Sequence, residues 1–137
     1  MQLKITTDYA IRALLYIAAS ETEPNSGEIS EACAISRNLL INILQKLRKA
    51  GLVSADRGVK GGYTLVKKPD EISLYDIMSV MEESMFFNRC LESDHKCSRG
   101  AANNCAVRGY YENLQTTIHK SLSSMTLQRL LDGDVAV

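Results

Sequence analysis

Short apolar-patterned segments broken by hard stops run from Ser26 to Val66, and this punctuation leaves few folds open. Ser26 caps a short helix, Gly27 to Cys33, with Ile29, Ala32 and Cys33 on its inward face. Only Ala34 and Ile35 separate it from Ser36, which caps a helix running to about Ala50, where Gly51 stops it. Leu39, Leu40, Ile43, Leu44 and Leu47 fall on one face of that helix. Two strand-like runs follow, Leu52 to Ala55 and Tyr63 to Val66. Asp56-Arg57-Gly58-Val59-Lys60-Gly61-Gly62 between them is turn chemistry, with glycines that let a hairpin turn and approach closely.

Around this unit, Asp8 to Ser20 reads as an amphipathic helix capped by Thr7. Pro69 and Asp70 close the hairpin, and Ser73 with Asp76 predicts a capped helix ending near Glu83. Val107, Tyr111, Leu114, Ile118, Leu122 and Met125 recur at helical spacing, predicting one stripe on a helix about 30 Å long. Thr126 caps a last short helix through Leu131. Two helices joined by a tight turn, then a glycine-tipped hairpin, form the layout of a winged helix-turn-helix. The expected fold is mainly α with a small β-hairpin wing (α+β) and a long C-terminal helix, whose stripe is open to packing on its own domain or, as a dimerisation helix, against a second copy. Residues 1–68 are expected to form the DNA-binding region. Residues 69–137 are expected to carry a cysteine loop and the dimerisation helix, packed as one domain with the first.

The formal net charge is zero, but the charge is unevenly spread. Residues 37–68 carry eight basic side chains against the single Asp56, while the rest of the chain holds 8 basic and 15 acidic ones. A positive face of this kind suits nucleic acid; the alternative is a solvated lysine-rich surface. In the nucleic-acid reading, Ser36, Arg37 and Asn38 at the start of the second helix of the pair meet bases and phosphates in the major groove. Arg57, Gly58, Lys60, Gly61 and Gly62 at the hairpin tip meet backbone or minor groove.

Cys90, Cys97 and Cys105 lie within sixteen residues, in a polar stretch between two helical segments. Three thiolates are an incomplete ligand set, so a metal or cluster there needs a fourth donor. An iron–sulfur cluster, a zinc site completed by His95, redox-active thiols without metal, and inert cysteines all remain open from the residues alone. The spacings match neither zinc-ribbon pairs nor ferredoxin runs. Cys33, on an apolar helix face, reads as a packed residue, and His119 as a surface one.

At this point the chain resembles the winged-helix regulators typified by the iron–sulfur cluster regulator IscR and the nitric-oxide-responsive repressor NsrR. The resemblance covers nearly the whole chain. It rests on Thr7-Asp8-Tyr9-Ala10-Ile11-Arg12-Ala13-Leu14, Ile35-Ser36-Arg37-Asn38, Leu47-Arg48-Lys49-Ala50-Gly51-Leu52-Val53, the Arg57 to Tyr63 hairpin, the three cysteines and Met125-Thr126-Leu127. It implies a homodimer joined through the long helix, binding palindromic double-stranded operators. It also implies a cluster on Cys90, Cys97 and Cys105, with DNA affinity dependent on it. In the IscR type a histidine three residues past the last cysteine completes a [2Fe–2S] site, but here that position is Arg108, which has no lone pair to offer a metal. In the NsrR type an aspartate at the start of the first helix, donated by the partner subunit, completes a [4Fe–4S] site; Asp8 stands there, so [4Fe–4S] is favoured over [2Fe–2S]. The plainer role for Asp8 is a first-turn carboxylate favoured by the helix dipole by about 0.3–1 kcal/mol. His95 is the runner-up ligand.

No nucleophile–base motif and no phosphate-cradling glycine loop is present, so an enzyme is not expected, nor a small-molecule substrate. No apolar run approaches the roughly 18 residues of a membrane span, and the N-terminal residues lack a signal-peptide pattern. A cytoplasmic transcriptional regulator, sensing nitric oxide, iron–sulfur status or redox state, is the expectation. The alternatives are a metal-free, thiol- or small-molecule-responsive repressor of the same fold, and a zinc-stabilised protein-interaction module.

Overall fold

The computed structural model describes residues 2–58 and 61–137, so Met1, Val59 and Lys60 lie outside the described residues. Helix α1 (Ile5–Ala19) is the central support. Against it pack α2 (Ser26–Cys33), α3 (Arg37–Lys49), α4 (Leu74–Met81), α6 (Leu127–Leu131) and strand β2 (Tyr63–Leu65). So many neighbours can approach one helix because its buried face is partly small: Ala10 and Ala13 are fully buried beside Leu14 and Ile17. From α3 the core receives Leu40, Ile43, Leu44 and Leu47, and from the flanks Ile29, Ile35, Ile72, Ile77 and Leu127. A buried aliphatic side chain of this kind is worth roughly 1.5–3 kcal/mol, so this cluster carries the fold.

β1 (Val53–Ala55) pairs antiparallel with β2, Val53 opposite Leu65 and Ala55 opposite Tyr63. Gly51, at φ 77°, takes the left-handed conformation that turns the chain out of α3 and into β1. After a half-buried loop, α5 (Ala106–Ser124) runs 19 residues and packs on α4 and on the 3-10 turn Arg89–Leu91. The chain then returns to α1. Leu74 N–H donates to the Met125 carbonyl at 2.8 Å and Leu127 N–H to the Ile72 carbonyl at 2.9 Å, pinning α6 beside the start of α4. Among the described residues no helix is long and apolar enough to cross a membrane.

The expected elements are present, and the differences lie at their ends. α1 begins at Ile5, so Thr7 is not a cap; it is fully buried, and its hydroxyl donates to Glu82 instead. α2 is capped by Asn25 rather than Ser26, in a reciprocal box with Glu28. Ala32 is exposed, leaving Ile29 and Cys33 as the inward face. Ser36 is the N-cap residue of α3 but makes no side-chain cap bond. α4 stops at Met81 because Glu82 is extended and its carboxylate takes the Lys4 N–H. α5 ends one residue before Met125, which is buried in the return turn rather than carried on the stripe.

Candidate nucleic-acid interface and cysteine loop

The start of α3 is open to solvent. Ser36, Arg37 and Asn38 are all exposed, while Leu40 and Ile43 on the opposite face anchor the helix in the core. Arg57 and Gly58 at the hairpin are exposed as well; Lys60 lies outside the described residues. The hairpin is seated on the loop before α2. Tyr63 N–H donates to the Pro24 carbonyl at 2.9 Å, and Asp56 N–H to the Gly62 carbonyl at 3.0 Å. A Cβ on Gly62 would fall 2.1 Å from the Glu23 carbonyl oxygen, and one on Gly61 2.3 Å from that of Asp56. These two glycines are needed for close backbone approach. At the same contact the Glu23 carboxyl is pushed up by its hydrogen bond to Asp56 and by the charge of Asp56. The Glu23–Pro24 seat was not among the sequence candidates; the paired glycines were its signal.

The three cysteines are free and half-buried. Cys90 lies in the turn Arg89–Leu91, Cys97 precedes a turn at Ser98–Gly100, and Cys105 is the N-cap residue of α5. Backbone N–H groups of Ala101 and Arg99 face the Cys97 sulfur and pull its thiol below the usual range, favouring the thiolate. Arg89 pins the loop by pairing with Asp94, whose carboxyl is pulled down to about 2 by that hydrogen bond. Among the described residues no three Cys, His, Asp or Glu side chains already converge on one point. The donor set suits a thiophilic metal or cluster by its chemistry; the loop would have to draw inward to present it.

Arg108 was read from sequence only as a position that cannot ligate. In the structure it organises the loop, with its side chain 16% exposed. Nothing in local sequence signals this, because its partners lie 18, 13 and 6 residues away. His95 is exposed, at φ 46°, a left-handed conformation uncommon for a residue with a Cβ. Asp8, on the exposed side of α1, pairs with Arg12 at 2.8 Å. Arg12 also donates to the Cys33 carbonyl at 2.9 Å and lies over the Tyr9 ring, joining Asp8 to the end of α2. Cys33 itself is buried, as its place on an apolar face implied. His119 packs its exposed ring edge-on against Tyr75.

Residues 3–133 match the Rrf2 family, described as iron-dependent transcriptional regulators. The chain is 35% identical to the HTH-type transcriptional regulator IscR of Aliivibrio salmonicida, over 98% of this chain and 80% of that one. It is 34% identical to the IscR of Klebsiella pneumoniae, over 97% and 81%. Among solved structures it is similar to CymR, the global cysteine regulator of B. subtilis, with a TM-score of 0.79 at 26% identity and 95% of each chain covered. It is also similar to T. potens IscR, with a TM-score of 0.75 at 26% identity over 98% of this chain and 88% of that one. A winged helix-turn-helix whose second helix opens on the surface, matched along almost its whole length to one family, makes this chain a member of the Rrf2 family of DNA-binding transcriptional regulators.

Proposed function

We propose that this regulator is a cytoplasmic homodimer whose affinity for a palindromic operator is set by an iron–sulfur cluster held by Cys90, Cys97 and Cys105. The observation that carries the reading is the state of these thiols: three free cysteines, partly open to solvent, in a stretch with no buried residue. Structural cysteines would be packed like Cys33; these are not. Relatives named IscR, in a family described as iron-dependent, support the same reading.

When bound, the cluster supplies a redox- and nitric-oxide-sensitive link between the parts of the protein that hold it. Residues 69–137 hold it and join the subunits, while residues 1–68 read DNA. Cys97 enters as a thiolate, eased by the facing amides of Arg99 and Ala101. Asp8 of the partner subunit is the fourth donor in this reading, and [4Fe–4S] is the cluster type. The pair Asp8–Arg12, with Arg12 on the Cys33 carbonyl, then connects the site to the turn that aims α3. Ligand occupancy can shift operator affinity only through such a difference in contacts between two arrangements. The dimer is supported by α5. A 19-residue helix with no buried residue and with Val107 and Tyr110 exposed leaves an apolar face for a second copy. On the DNA, Ser36, Arg37 and Asn38 read the major groove and Arg57, Gly58 and Lys60 approach the backbone, while Gly61 and the buried Gly62, also expected at the DNA from sequence, instead seat the hairpin against Asp56 and Glu23.

A second reading is favoured by the lowered Cys97 thiol: a metal-free repressor in which that cysteine is itself the sensor. Anaerobic purification separates the two. A brown protein with iron and sulfide in stoichiometric amounts, sedimenting as a dimer, is the expected result. A colourless protein with a fast-reacting Cys97 supports the metal-free repressor and overturns the cluster.

A further inference from the structure

The guanidinium of Arg108, in the first turn of α5, reaches three separate points of the cysteine loop. Its Nε donates to the Cys90 carbonyl at 3.2 Å and one terminal nitrogen to the Ala102 carbonyl at 3.2 Å. That nitrogen also pairs with Glu112 at 3.0 Å, which aligns the fork along α5. The other terminal nitrogen lies 2.8 Å from His95 Nδ1. A guanidinium only donates, so Nδ1 must be the acceptor and the ring proton must sit on Nε2. The lone pair through which a neutral imidazole would bind a metal is therefore already engaged.

We propose that Arg108 is the positioning residue of the cysteine loop. It ties the backbone of Cys90 and the segment before Cys105 to α5, and it withholds His95 from the ligand set. The first half stands on hydrogen bonding alone. The second rests on the cysteines being metal ligands, as proposed above. Lysine cannot replace this function, because a single ammonium on a flexible stem cannot reach three separate acceptors with the fixed fork of a guanidinium.

The test uses full-length, metal-free protein and the variants Arg108→Ala and Arg108→Lys, each alone and combined with His95→Ala. Amide hydrogen exchange across residues 90–104 should speed up about tenfold in Arg108→Ala, with α1 to α3 unchanged and Arg108→Lys giving little rescue. Anaerobic cobalt(II) titration provides the second readout, since its visible bands report sulfur and nitrogen donors directly. The cobalt response of the wild type should be the same with and without His95. In Arg108→Ala it should become dependent on His95. Unchanged loop exchange in Arg108→Ala overturns the clamp. A wild-type cobalt spectrum that already changes with His95→Ala, or an Arg108→Ala spectrum indifferent to His95, overturns the withholding of His95. Failure of the wild type to take up iron and sulfide would instead count against the cluster reading and leave the exchange result standing.

Discussion

The helix-turn-helix with its hairpin and the cysteine segment of this protein are held together by different physics. α1, α2, α3 and the hairpin close around fully buried side chains such as Leu14, Ile29, Leu40 and Leu44. From Glu82 to Ser124 no residue is fully buried, and beside partly exposed apolar contacts such as Phe87 on Tyr111 the chain is held by polar contacts from Arg89, Arg108 and Gln115. Apolar packing is non-directional and indifferent to oxidation or ligand state. A loop set by a few hydrogen bonds can change arrangement when one partner is taken away. The division is what the proposed sensing role requires: a rigid winged helix-turn-helix beside a segment that chemistry can rearrange.

The largest effect should come from breaking the rigid half. Leu14→Ala removes a fully buried side chain from the helix on which the others rest, and should cost about 2–5 kcal/mol in urea denaturation. Cys97→Ala should leave the same curve nearly unmoved, since its site is half-exposed. Equal destabilisation by the two substitutions would erase the contrast.

Next is the hairpin seat. Gly62→Ala sets a Cβ against the Glu23 carbonyl oxygen and should displace the wing, lowering operator affinity about tenfold or more, read by fluorescence anisotropy. The helical circular dichroism should hold, because the core lies elsewhere.

Thr7→Val probes the junction between the halves. The Thr7 hydroxyl donates to the Glu82 carboxylate at the mouth of the cysteine loop, and holds that carboxyl below its usual range. Its loss should cost about 1–2 kcal/mol near neutral pH, by the same denaturation measurement. Because the Glu82 pKa is depressed on folding, this contribution is present above the usual carboxylate range and fades as pH falls through the folded value.

The smallest effect is expected at Glu23, which behaves in the opposite sense. Its pKa is raised beside Asp56, so its favourable contribution is present at low pH and lost as pH rises through the folded value. Glu23→Gln should therefore raise Tm slightly at neutral pH and leave it unchanged in acid.

What could be read from the sequence follows the same division. Helix positions and the hairpin were legible because they rest on periodicity and local punctuation, such as the Leu40, Ile43, Leu44 and Leu47 stripe and the Ser73–Asp76 box. The Asn25–Glu28 box was equally local, and was obscured by Ser26 beside it. Thr7 was misread because its partner, Glu82, lies 75 residues away. Arg108 gave no local sign of its role for the same reason: its acceptors are assembled only by the fold. The spacing of Val107, Tyr111, Leu114, Ile118 and Leu122 fixes a stripe on α5, yet periodicity alone cannot say what covers it, and within one chain the stripe is only partly covered.

The central claim is that chemistry in the polar half changes what the packed half does on DNA. It is tested most directly by measuring operator affinity anaerobically, at fixed salt, for the iron–sulfide-loaded and the metal-free protein side by side. The account predicts affinities differing by about tenfold or more, and no difference in Cys97→Ala under the same treatment. Identical affinities for the loaded and metal-free wild type would contradict it.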